Sequence, residues 1–106
     1  MTVNIESFFS ELEQKIDVRR TAGINAVFQF NLTGPNGGDW YVQFTDGKPS
    51  VQKGLAPEPN LVLSADVQDW LDIVSGKING QAAFLTGKLK LRGDLTLAMK
   101  LQALLG

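Results

Sequence analysis

The sequence predicts an α+β fold of two layers, with helices laid on one side of a mostly antiparallel sheet. Apolar residues recur at helical spacing near the N-terminus, alternate over 24–33 and 40–45, and return to helical spacing in the last third. The alternating segments turn Asn, Gln, Thr and Asp to their second face, so that side of the sheet meets water. The 106 residues, 43% hydrophobic and 20% charged with net charge −1, describe one globular domain over 1–106, with a single core and no room for two lobes.

Ile5, Phe8, Phe9, Leu12 and Ile16 define an amphipathic helix over 4–20, with Asn4 as cap, Val3 stapling onto Phe8, and Arg19 and Arg20 at its negative end. Ile24, Ala26, Phe28, Phe30 and Leu32 then form the apolar phase of a strand, and Trp40, Val42 and Phe44 that of a second. Asp46-Gly47 supplies a tight hairpin into a third strand at 48–53. Ala56-Pro57-Glu58-Pro59 interrupts regularity before a strand from Asn60 to Ser64, and Asp66 caps a helix carrying Val67, Trp70, Leu71 and Val74. A short helix at 80–86, an alternating strand at 88–92 and a helix from Asp94 to Leu105 complete the chain.

The absence of His and Cys excludes zinc fingers, haem or copper ligation, His-assisted nucleophiles and disulfides. Neither metal nor cofactor is expected. Ser75-Gly76-Lys77-Ile78 and Thr86-Gly87-Lys88-Leu89 read as two helix stops. They are not phosphate loops, since a Walker loop would need Gly where Ala82 stands, and no two glycines are separated by one residue. Asp66, Asp69 and Asp72 fit capping and dipole compensation better than paired-acid catalysis.

Charge is divided along the chain. Residues 1–75 carry five Lys/Arg against ten Asp/Glu, whereas 76–106 carry Lys77, Lys88, Lys90, Arg92 and Lys100 against Asp94 alone. The balanced total argues against a nucleic-acid partner, while the basic last third suits solvated flanks or transient contact with an anionic membrane surface. With no membrane-spanning run, no leader pattern and a Leu-Leu-Gly106 end unlike a peroxisomal tripeptide, the expected location is cytoplasmic.

The final helix has eight apolar residues in twelve. Seven of them fall into two groups, Leu95/Ala98/Met99/Leu105 and Leu97/Leu101/Leu104, which together span about 220° of arc, more than one sheet face covers. The surplus must meet another helix of the domain, an apolar ligand, or a subunit or membrane partner. Trp40 and Trp70 lie on apolar phases and are expected chiefly as core anchors.

Trp70-Leu71-Asp72-Ile73-Val74-Ser75-Gly76-Lys77, Asn79-Gly80-Gln81-Ala82-Ala83-Phe84, Thr86-Gly87-Lys88-Leu89-Lys90-Leu91-Arg92-Gly93-Asp94-Leu95 and Leu97-Ala98-Met99-Lys100-Leu101 follow one another in order. This series closely resembles the sterol carrier protein type-2, or nonspecific lipid-transfer, family, and the likeness extends upstream over essentially the whole chain. It departs at Gly80, where the family often has Pro, and in a longer start to the helix around 64–69. The resemblance implies a five-stranded sheet with helices on one face and an apolar tunnel between the layers. It also implies broad binding of fatty acids, fatty acyl-CoA and sterol-like lipids by a stand-alone, non-catalytic module.

Candidate wall residues are Phe28, Phe30, Trp40, Trp70, Phe84, Leu91, Leu95, Met99 and Leu101, and Gln81 matches a family glutamine associated with the lipid site. Lys88, Lys90 and Arg92 lie on the polar side of their strand and are expected in solvent. The alternative is a non-catalytic accessory domain that docks on a lipid-metabolising partner, or pairs as a homodimer, through the apolar last helix. An enzyme acting on acyl-CoA or sterols would need a base or nucleophile that this chain scarcely offers.

Overall fold

A computed structural model describes residues 5–16 and 19–105, without the side chains of Lys15 and 102–105. The expected Asn4 cap and Val3 staple, and the side chains of Leu104 and Leu105 in the last helix's arc, lie outside what is described. The elements run α1 (Ile5–Lys15), β1 (Ala26–Thr33), β2 (Gly38–Thr45), β3 (Lys48–Lys53), β4 (Leu61–Asp66), α2 (Val67–Val74), α3 (Gly80–Leu85), β5 (Leu89–Gly93) and α4 (Leu95–Leu105).

The five strands form one sheet in the order β3-β2-β1-β4-β5. It is mixed: β1 and β4 run parallel, with Phe30 beside Leu63, and the other three pairings are antiparallel. Parallel neighbours need a crossover. Residues 54–60 lead from β3 to β4, and Gly54 and Ala56 bond Gln29 on the face of the sheet opposite the helices. This corrects the expectation of a face left wholly to water. Gln29 is only 2% exposed; its amide donates to the carbonyls of Trp40 (3.0 Å) and Gly54 (3.1 Å) and accepts from the Ala56 N–H (2.7 Å). Saturating both ends of the amide makes its burial tolerable.

The helix α1 is shorter than the expected 4–20 span, and Arg19 and Arg20 occupy a turn. Downstream, the buried Thr21 hydroxyl donates to the Gly47 carbonyl (2.6 Å), and Ile24 N–H donates to Thr21 (3.0 Å). These bonds fasten the chain to the β2–β3 turn and divert it from helical geometry. The strand expected to end at Ser64 instead runs to Asp66, whose carboxylate caps α2 by accepting from Gln68 N–H at 2.9 Å.

Aromatic rings fill the core at the β1–β2 end. Phe9 of α1 stacks on Trp40 (4.8 Å between centroids) and meets Phe30 edge-on (5.2 Å), while Phe30 and Phe8 both pack on Trp70. Phe28 and Phe44 form a further edge-to-face pair.

Candidate functional site

At the β4–β5 end the layers separate around a cavity of about 670 Å³, within the usual range of small-molecule sites. Its sheet wall comes from Leu63, Leu89 and Leu91, whose side chains fall on the helix-facing phase of β4 and β5. On α2, Trp70, Ile73 and Val74 repeat at three- and four-residue spacing and form one side. Phe84 and Leu85 of α3 and Leu95, Ala98, Met99 and Leu101 of α4 complete it.

The two apolar groups of α4 have different surroundings. Leu97 and Leu101 are core residues, 9% and 4% exposed. Leu101 also borders the cavity, together with Leu95, Ala98 and Met99, of which Leu95 is 53% and Met99 73% exposed. The described part of the surplus arc is thus shared between the cavity and solvent.

Of the sequence-derived wall candidates, Trp70, Gln81, Phe84, Leu91, Leu95, Met99 and Leu101 come together around this space. Phe28, Phe30 and Trp40 do not line it. They share the helix-facing side of the sheet, but rings from α1 and the sheet occupy the space above them. Leu63, Ile73, Val74, Ile78 and Ala98 line it without having been singled out. The signal for Ile73 and Val74 lay in their spacing from Trp70, and that for Ala98 in its place on the same arc as Leu95 and Met99.

The lining is almost wholly apolar, relieved by Asn79, Gln81 and the backbone at Gly76 and Gly80. Asn79 is occupied as the cap of α3, accepting from the N–H groups of Gln81 (2.8 Å) and Ala82 (3.2 Å). No described lining residue is ionisable. The Trp70 indole N–H is the one buried side-chain nitrogen or oxygen without a partner among the described residues. Next to the cavity, Asp94 precedes α4, and its carboxyl is held below the usual range by the Thr96 hydroxyl and N–H.

Lys90 and Arg92 alternate with Leu89 and Leu91 and so project from the opposite face of the sheet, where they border a shallow hollow with Asn31, Val62 and Ser64. Asp66 caps α2, and Asp72 accepts from the Gln68 amide (3.0 Å). Among the described residues no group of His, Cys, Asp and Glu could hold a metal ion, and no helix is long and apolar enough to cross a membrane.

Comparison with known proteins places this architecture. The chain is 31% identical over 103 residues to hydroxysteroid dehydrogenase-like protein 2 of Xenopus laevis, covering 96% of this chain and 25% of that one. It thus spans about a quarter of the length of such curated relatives. The solution structure of sterol carrier protein domain 2 of Helicoverpa armigera superposes with a TM-score of 0.77 at 28% identity, covering 99% of this chain and 91% of the other. A region of the Pseudomonas sec-alkylsulfatase Pisa1 shares the fold (TM-score 0.84, 17% identity, 96% of this chain and 16% of that one). Residues 7–106 match the family model itself, and the chain belongs to the SCP-2 sterol transfer family.

Proposed function

We propose that residues 1–106 act as one non-catalytic lipid-binding unit that takes fatty acids, fatty acyl chains and sterol-like molecules into the space between its layers. The observation that carries this reading is the apolar cavity of about 670 Å³ faced by the surplus arc of α4. Family membership supports lipid binding or transfer in general. A lining without acids, bases or cations suits holding a hydrocarbon tail and offers no group for proton transfer.

Each methylene withdrawn from water contributes about 0.8 kcal/mol, so a dozen give roughly 10 kcal/mol before the cost of immobilisation, consistent with micromolar or tighter binding. Discrimination by such walls is weak, about 1–3 kcal/mol per methylene, so specificity is broad. The polar notch at Asn79 and Gln81 is the place for a head group.

Solvent extraction of protein purified from cells, with titration by a fluorescent fatty acid, tests the reading. Co-purified lipid and saturable, competable binding are expected. Absence of both would overturn it. The relatives named as dehydrogenase-like, of which this chain covers 20–25%, favour a second element of the reading: the module presents cargo to a separate or fused oxidoreductase.

A further inference from the structure

We propose that the hollow on the face of the sheet opposite the cavity binds the phosphate monoester group of a small soluble molecule. Its volume is about 280 Å³, and Asn31, Val62, Ser64, Lys90 and Arg92 line it. The strand register builds it. Asn31, Ser64 and Lys90 stand in one row across β1, β4 and β5, and Val62 and Arg92 stand side by side in the next. Residues paired across strands share a face at about 5 Å, and Lys90 and Arg92 lie about 7 Å apart along β5.

The polar groups of these walls are donors that no described residue uses. Backbone groups fix Gln29, whose oxygen accepts from the Ala56 N–H, so its amide nitrogen is the end that meets Asn31. That nitrogen donates to Asn31 Oδ1 (3.1 Å) and so turns the Asn31 amide nitrogen away from Gln29. The Asn31 amide nitrogen, the Ser64 hydroxyl and the Lys90 and Arg92 side chains make no hydrogen bond or ion pair with a described residue.

The neighbouring acids do not neutralise the hollow. Asp66, two residues beyond Ser64, caps α2 through Gln68 N–H, and Asp94, two beyond Arg92, accepts from the Thr96 hydroxyl and N–H. Asp39 of β2 pairs with Asn31 on the side away from Lys90, and Glu58 belongs to the 54–60 connection. No described carboxylate lines the hollow. Protection of an outer strand explains Lys90 and Arg92 only in part. It has no use for uncharged donors on the inner strands, half-buried behind the two cations.

The donor set selects the ligand. A carboxylate has two oxygens, and one Arg satisfies both in a bidentate pair. A phosphate monoester brings three terminal oxygens and nearly two negative charges at pH 7, so it engages Arg92, Lys90, Ser64 and Asn31 together. Val62 gives the ester's organic part an apolar surface, and the small volume limits that part to a few atoms. Because the sheet separates this hollow from the cavity, phosphate and lipid do not compete, and the proposal does not rest on lipid carriage.

The full chain is to be titrated with phenyl phosphate at low ionic strength in chloride and followed by amide chemical shifts. Saturable shifts are expected at Ser64, Lys90 and Arg92, reversed by inorganic phosphate, with benzoate bound at least about tenfold more weakly. Lys90→Gln/Arg92→Gln should weaken phenyl phosphate at least about tenfold, and Lys77→Gln/Lys100→Gln, which removes the same charge from the helices, less than about threefold. Circular dichroism establishes that both variants are folded. Fluorescent fatty-acid binding should be unchanged by saturating phenyl phosphate.

Equal weakening in both variants, no saturable shift, or shifts confined to the helices around the cavity would overturn the proposal. Competition with the fatty acid would overturn it as well. So would binding seen only when the phosphate is carried by phosphatidic acid vesicles or by a phosphoserine peptide.

Discussion

Phe9 and Met99 are both apolar helix residues, yet their environments assign them opposite tasks. Phe9 is fully buried between Trp40 and Phe30. Phe9→Ala should cost about 3–5 kcal/mol in urea unfolding, the range for removing a buried ring. Met99 is 73% exposed on the cavity, so Met99→Ala should change stability by less than about 0.5 kcal/mol while weakening fatty-acid affinity several-fold. Gly93 joins β5 to α4 with φ near +110°, and a Cβ there would meet the Asn60 carbonyl. Gly93→Ala should lower the unfolding free energy by roughly 1–3 kcal/mol, through strain and overpacking. Because the Asp94 carboxyl is depressed in the folded state, its contribution is present above the unfolded-state pKa and is lost as pH falls through the lower folded value. Asp94→Asn should therefore flatten the acid limb of the stability curve between those two values, as read by thermal melts. The flattening will be partial, since Glu6 is depressed by Lys53 and titrates in the same direction.

Individual elements were legible where period and punctuation agreed. The Asp-Gly turn after Thr45, the Asp66 cap and the Gly76 stop each combine a backbone requirement with a residue suited to it. The wide arc of α4 announced that something besides the sheet must meet it, and the structure sets a cavity there. Alternation in β1 and β2 showed which face was apolar but carried no information about what lay opposite. Phe28, Phe30 and Trp40 could not be told from cavity walls until Phe9 was placed over Trp40 and Phe30. The burial of Gln29 was equally hidden, because it depends on the return of Gly54–Ala56, more than twenty residues away, across the polar face. The walls of the cavity are testable at this scale. Ala98 lines it and is half-buried, so Ala98→Trp would project an indole into existing space. The variant should remain folded, with fatty-acid affinity reduced at least about tenfold by exclusion.

Across the molecule, one sheet supports two unlike halves of a layer interface. The β3-β2-β1 half is closed by α1 and its rings, and the β4-β5 half is propped open by α2, α3 and α4. A ring-packed half and an open half give the chain both a core and a vacancy, which a core filled throughout would not leave. The most direct measurement is an isotope-edited nuclear Overhauser experiment on the protein saturated with a labelled long-chain fatty acid. Tail contacts to Ile73, Leu91, Leu95, Ala98 and Met99, and none to Phe28 or Trp40, are the predicted result. Saturable binding with contacts confined to another surface, or no binding at all, would contradict the account.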